Sequence, residues 1–179
     1  MEKGRKFTEV FPEFTIPDNL QYLLSKVIVT KIVMYKGKRE LVIHLRSPHL
    51  MSKRQVNKIA YDLKKELFGN HRILLKIDDT YELSSQYTLA QLLPEYWESI
   101  LYDVKNIGKV EYILLSRSQY GVDGNIITLL MEDSIMARQK SEKIKTYLVE
   151  MFAHRFHMDV EVGFNFTEES KKASLGIEA

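Results

Sequence analysis

Cysteine is absent from the 179 residues. The chain therefore offers no disulfide, no thiol nucleophile and no thiolate metal site, and it suits a reducing compartment. Long apolar runs are also missing. None approaches the roughly 20 residues that span a bilayer. The longest run of the second half, Ile126–Met131, is interrupted by Thr128 and stops at Glu132. The opening residues, MEKGRKFTEVF, are charged and lack an apolar core of signal-peptide length. These absences point to the cytoplasm and away from a membrane. There is no Walker phosphate loop and no dinucleotide fingerprint. No nucleophile, metal cluster or phosphate loop comes together anywhere, so the expectation is a binding or docking protein with no catalytic residues, no metal and no cofactor.

What is present is a repeated pattern. Twice, two alternating strand-like runs precede a long amphipathic helix and one more strand, over Val27–Asp78 and Val110–Phe166. A repeated supersecondary unit governs the organisation of a chain more strongly than any single residue. The fold class expected is α+β: two consecutive small two-layer domains, each a β-β-α-β unit with the helix on one sheet face. The boundaries are residues 1–79, residues 80–166, and a polar linker start over 167–179. Charge divides in the same way. Residues 1–80 carry 16 Lys/Arg against 9 Asp/Glu, while residues 81–179 carry 10 against 15. A basic first half can meet phosphates or an acidic protein, or the two halves can partly neutralise one another.

In the first copy, Phe7, Phe11 and Phe14 are spaced for a short docking helix that Pro12 breaks. Ile16-Pro17-Asp18 opens a short helix through Ser25. Val27–Tyr35 reads as a strand with Val27, Val29 and Val33 on one side. Lys36-Gly37-Lys38 reads as a three-residue turn, with Gly37 free to take positive φ. Leu41, Ile43 and Leu45 alternate along the return strand. Ser52 is placed to cap a helix whose apolar stripe is Val56, Ile59, Ala60, Leu63 and Leu67. Gly69-Asn70 ends it, and Arg72–Asp78 is the next strand. Asp79–Tyr87 is the candidate boundary.

In the second copy, Thr88 caps Leu89–Leu93, and Pro94 restarts the helix rather than sitting inside it. Tyr96, Trp97, Ile100, Leu101 and Val104 continue it to Gly108. Val110–Leu115 reads as a strand and Gln119–Asn125 as a loop with an Asp123-Gly124 hairpin signal. Ile126–Met131 is a strand, Asp133 or Ser134 caps a helix to Phe156 with Ile144, Tyr147, Leu148, Met151 and Phe152 inward, and Met158–Phe166 closes the unit.

The helix face carrying Lys53, Arg54, Lys58, Lys64 and Lys65 is the leading candidate surface, with Lys36, Lys38 and Arg39 of the turn extending it. Such a patch binds phosphates with salt-dependent affinity, or a partner protein. The alternative is a solvated helix face. Gly121-Val122-Asp123-Gly124 has the letters of the GxxG loop of single-strand binders but lies between strands, where it reads as a turn. His154 and His157 stand three apart without further ligands, which suits helix-end polar residues better than a metal site. The acidic pairs Asp78-Asp79, Glu132-Asp133 and Glu168-Glu169 are adjacent residues, which point to opposite faces on a strand. Trp97 sits at helical spacing from Leu93, Ile100 and Leu101 and reads as core.

The stretches IPDNL, LLPEYWESILYDVK and GVDGNIITLLMEDSIMARQKSEKIKTYLVEMFAHRFHMDVEVGFNF resemble the N-terminal region of the PolC-type DNA polymerase III alpha subunit. That is the large replicative polymerase of low-GC Gram-positive bacteria. The resemblance implies a fragment lying before the OB-type, exonuclease and polymerase domains, so no catalytic residue carries over. It implies a second domain resembling a type-II KH-like fold, similar also to the alpha-binding domain of the clamp-loader tau subunit. It further implies docking to replisome proteins, with the clamp-loader tau subunit as the expected partner. Single-stranded DNA is the alternative partner.

Overall fold

The computed structural model describes residues 3–168. The chain divides into two compact units, Met1–Ser85 and Gln86–Ala179.

The first unit runs β1 (Arg5–Lys6), α1 (Phe7–Val10), a 3-10 turn (Asp18–Leu20) leading into α2 (Gln21–Lys26), β2 (Ile28–Tyr35), a 3-10 turn (Lys36–Lys38), β3 (Glu40–Ser47), α3 (Lys53–Phe68) and β4 (Leu74–Tyr81). The sheet order is β1-β2-β3-β4. The first two pairings are antiparallel and β3–β4 is parallel. Leu41, Ile43 and Leu45 are buried with Val56, Ile59 and Leu63 of α3, as the alternating and helical spacings require. Ser52 caps α3 in a full capping box with Gln55.

Several expectations are corrected. Phe7, Phe11 and Phe14 do not form a docking surface: all three are buried, with Phe7 in ring contact with the other two. The helix that starts at Phe7 is four residues long and stops before Pro12. β2 does not keep one alternation, because its register against β3 shifts between Val29 and Lys31. An extra residue there flips the side chains that follow. Ile32 and Met34, rather than Val33, therefore stand opposite the buried Ile43 and Leu41. In the hairpin turn, Gly37 does not take positive φ; Arg39 does, at φ 50 and ψ 43. β4 extends to Tyr81, because Asp79 and Tyr81 are core residues.

The second unit runs α4 (Leu89–Ile107), α5 (Lys109–Arg117), β5 (Gln119–Asp123), β6 (Ile126–Glu132), α6 (Ile135–Phe156) and β7 (Glu161–Thr167). Its sheet order is β5-β6-β7, antiparallel and then parallel. Pro94 lies inside α4 instead of restarting it. The Thr88–Gln91 capping box and the burial of Leu89, Leu92, Leu93 and Tyr96 offset its missing hydrogen bond. The expected strand over Val110–Leu115 is helix α5. Glu111 and Leu115, four apart, are its buried pair, which is helical spacing. The expected loop from Gln119 is instead strand β5, in register with Ile126–Leu130 of β6. Ser134 caps α6, accepting from the N–H of Ala137 at 3.0 Å, while Asp133 pairs with Arg138. Trp97 is half-buried, its ring 4.5 Å from that of Tyr120. The expected linker start begins at Thr167, which belongs to β7; residues 169–179 lie outside the described residues.

Candidate functional site

The basic residues of the first unit separate into three groups by what the backbone does with them. Lys53 opens α3 and is turned inward. It is buried and donates to Asp79 Oδ1 at 2.7 Å. The Asp79 carboxylate also accepts from the Tyr81 hydroxyl at 2.6 Å, and that hydroxyl contacts the Met51 carbonyl at 3.1 Å. Lys53 therefore does not belong to the exposed basic face on which the sequence placed it. A lysine at the first position of a helix otherwise reads like the Arg54 beside it, and the signal for burial lies 26 residues away in Asp79.

The second group is the outer line of α3. Arg54, Lys58 and Lys65 are exposed and follow one another at helical spacing, and Tyr61 stands between the last two at 66% exposure. Lys58 is bridged to Asp62 at 3.0 Å. Lys64 is also exposed, displaced to one side of that line. Sequence reading named the cations and missed Tyr61. An exposed aromatic among basic residues is the arrangement that stacks on bases while neutralising phosphates.

The third group gathers at the hairpin end. β3 runs away from the turn, α3 returns, and parallel β4 starts again beside Glu40. That path brings His71 and Arg72 to the turn that carries Lys36 and Arg39. With Met34 and Ile73 they line an open cavity of about 410 Å³. Lys38 is exposed on the same turn but does not line the cavity. Sequence reading missed His71 and Arg72, since nothing in their local spacing announces the parallel return.

The sheet of this unit has one face under α3 and one half-open face. On the latter, His44 Nδ1 lies 2.7 Å from Asp78 Oδ2, and Lys76 reaches Glu40 at 3.3 Å. Among the described residues, β1 pairs with β2 only at Ile28 and Val29, and none covers the outer edge of β2 beyond them. Ile32, Met34 and Tyr35 are left 45%, 43% and 49% exposed. An uncovered strand edge with apolar side chains is a template for an added strand.

The remaining candidates resolve into local structure. Asp78 and Asp79 point to opposite faces of β4 and take different partners, His44 and Lys53. Gly121 lies within β5, and Gly124, at φ +58, makes the hairpin turn to β6. α6 ends at Phe156, between His154 and His157, and His157 is its left-handed cap. Among the described residues no group of three or more His, Cys, Asp or Glu is placed to hold a metal ion. Among the described residues no helix is long and apolar enough to cross a membrane. Glu169 lies outside the described residues.

The fold and surface define the first unit as a small α+β module with an uncovered strand edge and a basic end. Residues 6–77 match the family described as DNA polymerase III polC-type N-terminus I. Over those residues the first unit is thus similar to the N-terminal region of a PolC-type DNA polymerase III. The match ends within β4 and does not enter the second unit. Searches of curated proteins and of solved structures give no match.

Proposed function

We propose that this chain is a noncatalytic docking region that tethers a PolC-type polymerase to another replisome component in the bacterial cytoplasm, the clamp-loader tau subunit first. The parent polypeptide would carry DNA-templated synthesis and 3′-5′ proofreading elsewhere. The observation that carries this reading is the family match over residues 6–77 on a unit whose β2 edge leaves Ile32, Met34 and Tyr35 exposed. The KH-like character of the second unit and a duplication relating the two units belong to the same reading. The order hairpin, helix, parallel strand supports the duplication, since it occurs in both units. Calorimetric titration of tau into the wild-type chain and into an I32D/M34D variant tests it. Saturable binding weakened by the two substitutions is expected; equal binding by both proteins removes the β2 edge from the account.

A second reading, single-stranded nucleic-acid binding, is favoured by Tyr61 standing exposed among Arg54, Lys58 and Lys65. It expects affinity that falls steeply with salt and with charge reversal at Lys58 and Lys64. Affinity indifferent to both would end it.

A further inference from the structure

We infer that the hairpin end of the first unit is a phosphate pocket that seats one nucleotide of a single DNA strand. The inference deepens the nucleic-acid reading and rests on it.

Every polar side chain lining the cavity is basic: Lys36, Arg39, His71 and Arg72. No carboxylate lines it, so an anion entering meets no opposing charge from the walls. Arginine guanidinium groups supply planar forks of donors that match phosphate oxygens. The cavity, about 410 Å³ and wide open to solvent, has room for more than phosphate alone. Met34, 43% exposed, and Ile73 offer apolar surface to the attached sugar or base.

The walls are held by backbone rather than by side chains. The Leu74 N–H donates to the Arg39 carbonyl at 2.9 Å, which ties the start of β4 to the turn. The His71 N–H donates to the Phe68 carbonyl at 2.9 Å, which ties the loop to the end of α3. The Arg39 N–H closes the turn on the Lys36 carbonyl at 3.3 Å. The four basic side chains thus leave from backbone positions that are tied together, while the exposed side chains themselves order only when an anion arrives.

Arg39 supplies an independent observation. It holds a left-handed backbone, which costs a residue with a Cβ and is nearly free to glycine. A turn selected for stability alone would place glycine there, and Gly37 stands two residues earlier without using that freedom. Backbone strain of this kind collects at functional positions. Here it puts a guanidinium at the cavity.

Arg39→Gly therefore separates binding from folding, since glycine suits the turn and removes the guanidinium. The full chain is titrated with a short fluorescent oligothymidylate at low salt, and with inorganic phosphate while amide chemical shifts are followed. Arg39→Gly is expected to melt at or above the wild-type temperature and to bind the oligonucleotide about tenfold more weakly, and Arg72→Ala to show a similar loss. Phosphate is expected to shift the amides of residues 36–39 and 71–73. Wild-type affinity in both variants overturns the pocket. If binding is instead lost only on charge reversal at Lys58 and Lys65, the pocket falls and the helix-face reading stands. No oligonucleotide binding at all overturns both. Capture of a phosphoserine peptide with indifference to the oligonucleotide overturns the assignment to DNA.

Discussion

Lys53 and Asp79 form a buried ion pair, Nζ to Oδ1 at 2.7 Å, joining the first turn of α3 to β4. The lysine side chain is 9% exposed and the aspartate 1%. The Tyr81 hydroxyl binds the second carboxylate oxygen. Removing one partner strands the other charge in the interior, at a cost of about 3–5 kcal/mol. Lys53→Ala is expected to lower unfolding free energy by an amount in that range. Substituting Arg54, its exposed neighbour, should change it by less than about 0.5 kcal/mol. Urea denaturation of the two variants gives the comparison, and equal effects would contradict the burial of Lys53.

Glu111 lies in the first turn of α5. Its carboxyl is held below the ordinary value of 4.5, first by the bond from its own backbone N–H and then by Lys143 and Lys140, against the effect of burial. The lysine ammonium groups lie 3.7 and 3.5 Å away. A carboxyl depressed in the folded state contributes stability that is fully present above the unfolded value and is lost as pH falls through the folded one. Glu111→Gln should therefore be less stable than wild type at pH 7, with the gap narrowing as pH drops below about 4.5. Thermal melts at pH 7 and pH 3.5 measure the gap, and a constant difference would contradict it. Gly108→Ala should have a related effect, because a Cβ there would collide with the Glu111 carboxylate and displace it.

Asp103 of α4 receives two residues of α6. Its Oδ2 accepts from the Tyr147 hydroxyl at 2.8 Å and lies 2.5 Å from the Arg155 guanidinium. Arg155 also donates to the Tyr96 hydroxyl at 3.0 Å. Burial, and then the charge of Asp103, pushes the Tyr147 phenol far above its usual value, so it stays protonated in alkaline solution. Tyr147→Phe removes one hydrogen bond, at a cost of about 1 kcal/mol. Asp103→Ala removes the acceptor that both partners use and should cost about 2–3 kcal/mol. Equilibrium unfolding should rank the variants in that order; the reverse ranking would remove Asp103 from the centre of the network.

The elements legible in the sequence were those whose neighbours agree with them. β3 alternates, and its inward set of Leu41, Ile43 and Leu45 is the buried set. α6 ends at Phe156 as its stripe and polar flank predict. α5 was illegible because VEYILL is a short, mostly apolar run rich in strand formers, which periodicity alone does not separate from a helix, while its helical state is supported by Glu111 and Leu115 four apart. The bulge near Thr30 left no mark, since Val29, Ile32 and Val33 are equally apolar. For the candidate surface, the cations of α3 and the turn were visible as a pattern. Lys53 went inward because of a distant aspartate, and His71 and Arg72 joined the turn through parallel pairing. Both are long-range effects that local spacing does not carry.

If the helix face of α3 binds a single strand, Tyr61 should stack on a base. Tyr61→Ala would then weaken oligonucleotide binding by about 1–3 kcal/mol without changing the salt slope. Reversing Lys65 should weaken binding and flatten the slope. Fluorescence anisotropy over a salt series separates the two effects, and a Tyr61 variant with unchanged affinity would confine the face to ordinary solvation.

The central claim is docking, and calorimetric titration of the intact chain with the clamp-loader tau subunit, at low and at moderate salt, tests it most directly. The account predicts saturable binding that persists at moderate salt. No heat and no complex at either salt would contradict it.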